Sequence, residues 1–242
     1  MAYIDGFVLA VPAGNKEEYR QHANEAAPLF AEFGCDRLVE TWGDDVPDGK
    51  LNDFKGAVQA KEDEIVVFSW AEYADKAARD AAGQKMMTDP RMEQMMGGTM
   101  PFDGKRMIYG GFDPIVDLGS GQGGYTDGYI LPVPEANKDR YFAMAERVGA
   151  KFQEHGAVRV VEAWGDDVPD GKVTDYRKAA HAKDGEGVVF SFVEWPDKET
   201  RDAAWAKIMA DPEMQPSEAD KDIFDGKRMF WGGFKPILDT KA

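Results

Sequence analysis

The octapeptide Gly43-Asp-Asp-Val-Pro-Asp-Gly-Lys50 occurs twice in this chain, returning letter for letter as Gly165-Asp-Asp-Val-Pro-Asp-Gly-Lys172. The step from Gly43 to Gly165 is 122 positions, and the same step aligns much of the remaining sequence without a net gap. Asp5-Gly6 falls on Asp127-Gly128, Phe68-Ser69 on Phe190-Ser191, and Phe102-Asp-Gly-Lys-Arg-Met107 on Phe224-Asp-Gly-Lys-Arg-Met229. A unit this long exceeds the roughly 20–50 residues of a solenoid module, so each copy must build its own core. A domain of this size buries about two-thirds of its unfolded surface, which is enough. The 242 residues therefore divide into a first domain, 1–118, a Gly-rich linker, 119–124, and a second domain, 125–242.

Within each copy the pattern alternates between strand and helix. Tyr3 to Val11 reads as a strand closed by Pro12. Asn15 and Asn137 offer helix N-caps, with Glu18 placed for a capping box. Tyr19, Ala23, Ala26, Phe30 and Phe33 then recur at helical spacing, and Gly34 ends the run. Arg37 to Trp42 forms a second strand that enters the acidic turn, where Pro-Asp-Gly is turn chemistry. Ile65 to Glu72 is apolar on both faces, so it needs cover on both sides. A second helix, capped by Asp75, stops before Pro90, and a fourth strand covers Lys105 to Phe112. The order β-α-β-β-α-β, twice, is the ferredoxin-like arrangement of the α+β class. Helices cover one sheet face, and two copies packed sheet to sheet, roughly 10 Å apart, cover the other.

Charge narrows the partners. A formal net charge of −16, from 45 acidic and 29 basic residues, repels phosphate backbones and anionic lipid. Nucleic acid and membrane surfaces are not expected partners, and no apolar run approaches the ~20 residues that span a bilayer. Cys35 is the single cysteine and its counterpart is Ala157, so no intrachain disulfide forms. The opening residues lack a basic segment followed by an apolar core, so no signal peptide is expected and the location expected is cytoplasmic.

Asp-Gly-Phe at the start, Gly-Asp-Asp-Val-Pro-x-Gly-Lys after the second strand, Phe-Ser-Trp in the third and Pro-Phe-Asp-Gly-Lys-Arg-Met-Ile-Tyr-Gly-Gly-Phe at the end resemble the YbaA-like bacterial family. The resemblance covers both halves, with Tyr129, Phe192 and Ile223 as modest departures in the second. It implies a dimeric α/β barrel whose two halves are here supplied by one chain as an intrachain pseudo-dimer. The family's function is unknown. The wider superfamily of such barrels includes cofactor-free monooxygenases, an analogy of fold that says little about chemistry.

No motif demands a cofactor or a metal. Five residues separate Gly43 from Gly49, where a phosphate-binding loop needs four, and Leu51 stands where that loop requires a hydroxyl. Three aspartates there could in principle hold a hard cation, but an Asp-rich turn is the simpler reading. His22, His155 and His181 face Met144, Phe33 and Gln59 in the other copy, so no histidine serves both halves. Cys35 has no repeated base partner.

The candidates are the polar residues repeated within apolar strands: Asp5 and Asp127, Glu40 and Glu162, Trp42 and Trp164, Ser69 and Ser191, Arg106 and Arg228. They form either satisfied core ion pairs or the polar patch of a pocket with tryptophan as a wall. Met92, Met95, Met96 and Met100 mark the segment where the copies diverge most, and adaptable thioethers suit either a plug or a ligand-facing mouth. The preferred reading is a small-ligand-binding or assembly module, its ligand a small organic molecule. The alternative is a cofactor-independent, monooxygenase-like enzyme with Asp5, Glu40 or Arg106 as acid–base groups.

Overall fold

The computed structural model describes residues 2–214 and 218–241. In chain order its strands and helices are β1 (Tyr3–Pro12), α1 (Lys16–Phe33), β2 (Arg37–Asp45), α2 (Phe54–Ala57), β3 (Glu64–Tyr73), α3 (Lys76–Thr88), α4 (Pro90–Gly97) and β4 (Ile108–Gly119). The second half follows with β5 (Tyr125–Pro134), α5 (Lys138–Glu154), β6 (Arg159–Asp167), α6 (Tyr176–Ala179), β7 (Glu186–Trp195), α7 (Lys198–Ala210) and β8 (Phe230–Asp239). Each half is a β-α-β-β-α-β unit with its own antiparallel sheet.

The sheets do more than face each other. Their edges pair, β2 with β8 and β4 with β6, so the eight strands close into one barrel in the order β1-β3-β2-β8-β5-β7-β6-β4. Closure removes every exposed edge, which a stack of two open sheets would leave. Both seams are bulged, one between Glu40 and Thr41 beside Pro236 and the other around Pro114. Proline cannot donate to the ladder, so a seam with a bulge is where it fits.

Alternation along the strands sorts the side chains. Ile4, Val8 and Ala10 of β1 and Val66, Phe68 and Trp70 of β3 point into the barrel. Phe7, Leu9, Val67 and Ala71 face the helices. The interior is aromatic and full. Phe68 stacks on Phe190 at 4.6 Å between centroids, and Trp70 on Phe192 at 4.3 Å, beside the pseudo-twofold axis. The one-turn helices α2 and α6 drive Phe54 and Tyr176 into the same cluster.

Three expectations need correction. Asn15 and Asn137 do not cap their helices; their amides donate to the carbonyls of Pro101 (3.1 Å) and Ile223 (2.9 Å) and tie each helix start to the segment before the last strand. Arg106 and Arg228 lie in 3-10 turns before β4 and β8 rather than in the strands. The linker is tethered despite its composition: Gly123 N–H donates to Glu194 (3.3 Å) and Gly124 N–H to the Pro196 carbonyl (3.1 Å).

Candidate ligand-binding site

Charge collects first at the seam between the halves. Arg37 donates to Glu194 at 2.6 and 3.0 Å and to Asp239 at 2.7 Å. Its counterpart Arg159 donates to Glu72 at 2.7 Å and to Asp117 at 2.9 Å. All four partners lie in the opposite half. The repeated acidic turn does the same job. Asp44 takes Lys235 (2.6 Å), Lys198 and the Tyr125 hydroxyl (3.1 Å), while Asp45 takes Arg201 (3.0 Å). Asp166 takes Lys76 and the Tyr3 hydroxyl, and Asp167 takes Arg79 at 2.6 Å. Burial pushes the Asp44 carboxyl up, but its cationic and phenolic donors outweigh that and hold it at about 2. The turn is a clasp between halves.

A second polar group lies outside the barrel, between the first sheet and its helices. On β1, β3 and β2 the side chains of Phe7, Ser69 and Glu40 form one row across the sheet. Alternation along β2 puts Glu40 with Leu38 and Trp42 on the helix-facing side, where the Tyr19 hydroxyl donates to Oε2 at 2.6 Å. Ser69 donates to the same oxygen, and neither bond reaches Oε1. Burial holds the Glu40 carboxyl above the usual carboxylate range, against the pull of its two hydroxyl donors.

Around this group the walls are apolar. Phe7, Leu9, Phe30, Leu38, Met92, Met95, Phe102 and Met107 enclose a cavity of about 170 Å³, with His22 at its edge. An apolar cavity of about 150 Å³ is enough for benzene. Burial favours the neutral form of His22, whose ring stands edge-on to Phe102 at 6.4 Å.

The second half repeats the polar group and changes the walls. Tyr141 donates to Glu162 at 2.6 Å, and burial lifts the Glu162 carboxyl to about 7. Here Tyr129, Phe152, Val148, Val160 and Met214 stand where Phe7, Phe30, Ala26, Leu38 and Met92 line the first-half cavity. Trp205 packs among them, its ring 5.6 Å from Phe152.

The residues singled out in the sequence separate into three groups. Glu40 and Ser69 meet at the cavity with Met95, and Glu162 occupies the matching place in the second half near Ser191. The Met96 side chain lies outside the described residues. Trp42 and Trp164 flank the polar groups through Tyr19 and Tyr141, each under a lysine ammonium, Lys16 at 5.1 Å and Lys138 at 4.9 Å. The remaining charges are paired: Arg106 with Glu64 (2.6 Å), Arg228 with Glu186 (2.6 Å), Asp5 with Arg79 (2.7 Å) and Asp127 with Arg201 (2.8 Å). Tyr19, His22 and the seam residues were missed as candidates. The signal for the seam was available, since Arg37, Glu72 and Asp117 each recur 122 positions on as Arg159, Glu194 and Asp239. No group of three or more His, Cys, Asp or Glu side chains among the described residues is arranged to hold a metal ion.

Fold and site define a class: an α/β barrel of two ferredoxin-like halves with one carboxyl group buried under each long helix. Solved structures share this architecture. A protein of Fusobacterium nucleatum described as "Putative monooxygenase" matches over 98% of this chain and 93% of its own, with TM-score 0.61 and 10% identity. A Lactobacillus acidophilus protein with the same description covers 99% and 96%, with TM-score 0.56 and 11% identity. An anthrone oxidase-like protein covers 98% and 92%, with TM-score 0.51 and 10% identity. At such identities the likeness is one of fold.

In sequence, the model of the family described as "Protein of unknown function (DUF1428)" matches residues 2–104 and again residues 124–226. The chain belongs to that family, in tandem duplicate. The uncharacterized protein YbaA of Escherichia coli K12 is 64% identical over 117 residues, 48% of this chain and 99% of its own length. YbaA of Shigella flexneri gives the same figures.

Proposed function

We propose that the first half binds a small, largely apolar organic molecule carrying one hydrogen-bond donor, seated in the cavity beneath α1 with the donor on Glu40. The supporting observation is the contrast between the apolar walls and the single carboxyl held by Tyr19 and Ser69. Such a pocket, with few convergent polar groups and a perturbed carboxyl, is the usual form of a small-molecule site. Phenol is a suitable probe and benzene its donorless control. Phenol is expected to raise the melting temperature of the full chain, benzene to raise it less, and Glu40→Gln to weaken phenol about tenfold, the loss of one hydrogen bond to the carboxyl. Equal responses to phenol and benzene, unchanged in Glu40→Gln, would refute the reading.

A second reading is favoured by the same carboxyl. A buried glutamate with a raised pKa suits a general base, and three structures of like fold carry monooxygenase or anthrone oxidase-like descriptions. In this reading Glu40 takes an acidic proton from a bound phenol or anthrone before oxygen reacts. Oxygen uptake with such compounds, lost in Glu40→Gln, supports it; binding without uptake leaves the chain a binding module.

A further inference from the structure

The two halves differ at one position whose consequence is geometric. In the second half Trp205, on α7, lays its indole against Phe152 and donates its ring N–H to Asp127 at 3.0 Å. The Trp195 indole donates to the same oxygen, also at 3.0 Å. In the first half the three counterparts of Asp127, Phe152 and Arg201 are retained as Asp5, Phe30 and Arg79, but Trp205 is replaced by Gly83 and Trp195 by Tyr73. A Cβ placed on Gly83 meets no atom within 4 Å. Asp5 keeps its bond to Arg79 through Oδ1 and has neither indole. Phe30, the ring that Trp205 would touch by symmetry, is also a wall of the first-half cavity.

A buried or half-buried carboxylate that has lost two N–H donors, beside an aromatic ring and an open helix face, is the negative of an indole. We propose that the first half binds a planar aromatic molecule bearing a ring N–H or hydroxyl, in the place the second half fills with the side chain of Trp205. Asp5 accepts its hydrogen bond and Phe30 packs against its ring. The inference shares the Phe30 wall with the ligand-binding reading above, and it assigns the first half a separate place with its own chemical class and stoichiometry. Each chain takes one such molecule, because Trp205 already occupies the second place. Gly83 stands where the second half has Trp205, and a side chain added at Gly83 starts into open space.

Calorimetric titration of the full chain with indole tests this, with indene, which has the same shape and no N–H, as control. One indole per chain is expected, with indene at least about tenfold weaker. Gly83→Trp should abolish indole binding, and Trp205→Gly should raise the stoichiometry from one to two. Two sites in the unaltered chain, undiminished binding in Gly83→Trp, or no second site in Trp205→Gly would each overturn the proposal. Should Gly83→Trp fail to fold, the Trp205→Gly titration and its thermal rescue by indole decide the matter alone. The two readings fail separately. Phenol binding that depends on Glu40 while indole ignores Gly83→Trp refutes only the indole place, whereas indole behaving as expected with phenol inert refutes only the Glu40 place.

Discussion

Arg37 and Glu194 meet across the seam in a two-pronged contact, Nη2 to Oε1 at 2.6 Å and Nη1 to Oε2 at 3.0 Å, with almost no exposure to solvent. The guanidinium also lies over the Trp70 ring at 5.7 Å. Removing Arg37 leaves Glu194 and Asp239 buried with only the more distant Arg159 near Glu194 at 3.8 Å, whereas removing Glu194 leaves Arg37 paired with Asp239. Arg37→Leu should therefore cost about 3–5 kcal/mol and Glu194→Leu less, both measured by urea unfolding. A loss below about 1 kcal/mol in both variants would show that the seam does not depend on this pair.

The aromatic stack beside the axis leaves no room for a methyl group. A Cβ on Gly6 would lie 2.7 Å from the Phe190 ring, and Phe190 cannot retreat because Phe68 is stacked behind it. Gly6→Ala should destabilise by about 1–3 kcal/mol. Gly83→Ala, in open space on a helix, should instead stabilise by about 0.5–1 kcal/mol. Thermal melts of the two variants moving in the same direction would contradict the packing described.

Stability should carry the titration of Glu162. Its carboxyl stands at about 7 in the folded chain against an ordinary 4.5, so the folded state holds the proton more tightly than the unfolded chain. The contribution is complete below about pH 4 and is lost as pH rises through 7. Between pH 4.5 and 8 the native chain should lose about 2–3 kcal/mol relative to Glu162→Gln, less any solvent screening. Parallel pH profiles for the two proteins would rule this out.

The acidic turn should ignore divalent cations. Asp44 already receives Lys198, Lys235 and Tyr125, and Asp45 receives Arg201. Calorimetric titration with calcium is expected to show no binding tighter than millimolar. Sub-micromolar affinity, removed by Asp45→Asn, would mean that the clasp opens to hold an ion.

The duplicated architecture was legible because a gapless repeat survives any local ambiguity, and because Ile65 to Glu72 is apolar on both faces. Edge pairing was not, since the register of β2 on β8 is set by contacts nearly 200 residues apart in the chain. Separations of 154 and 156 residues hid the clasp: Asp44 and Asp45 read as turn residues until the fold brings Lys198 and Arg201 to them. Asn15 fits the chemistry of a cap, but its Nδ2 donates to the Pro101 carbonyl and its side chain makes no cap bond to the helix. Glu40 and Ser69 were visible as polar residues in apolar strands; Tyr19 was hidden within a helical stripe. The pair Gly83 and Trp205 looks like ordinary drift in an alignment. Only the indole bond to Asp127 gives the difference a shape.

β4 ends at Gly119 and β5 begins at Tyr125, so the two halves are inherited as one reading frame. In a barrel made from two copies of one chain, every substitution is imposed on both sites at once, and a change that improves one must be tolerated by its twin. The short tether lifts that constraint. His22 can differ from Met144, and Gly83 from Trp205, while Arg37, Glu72 and the acidic turns are kept in duplicate to hold the barrel shut. Fusion thereby leaves one half as a fixed partner and frees the other to specialise.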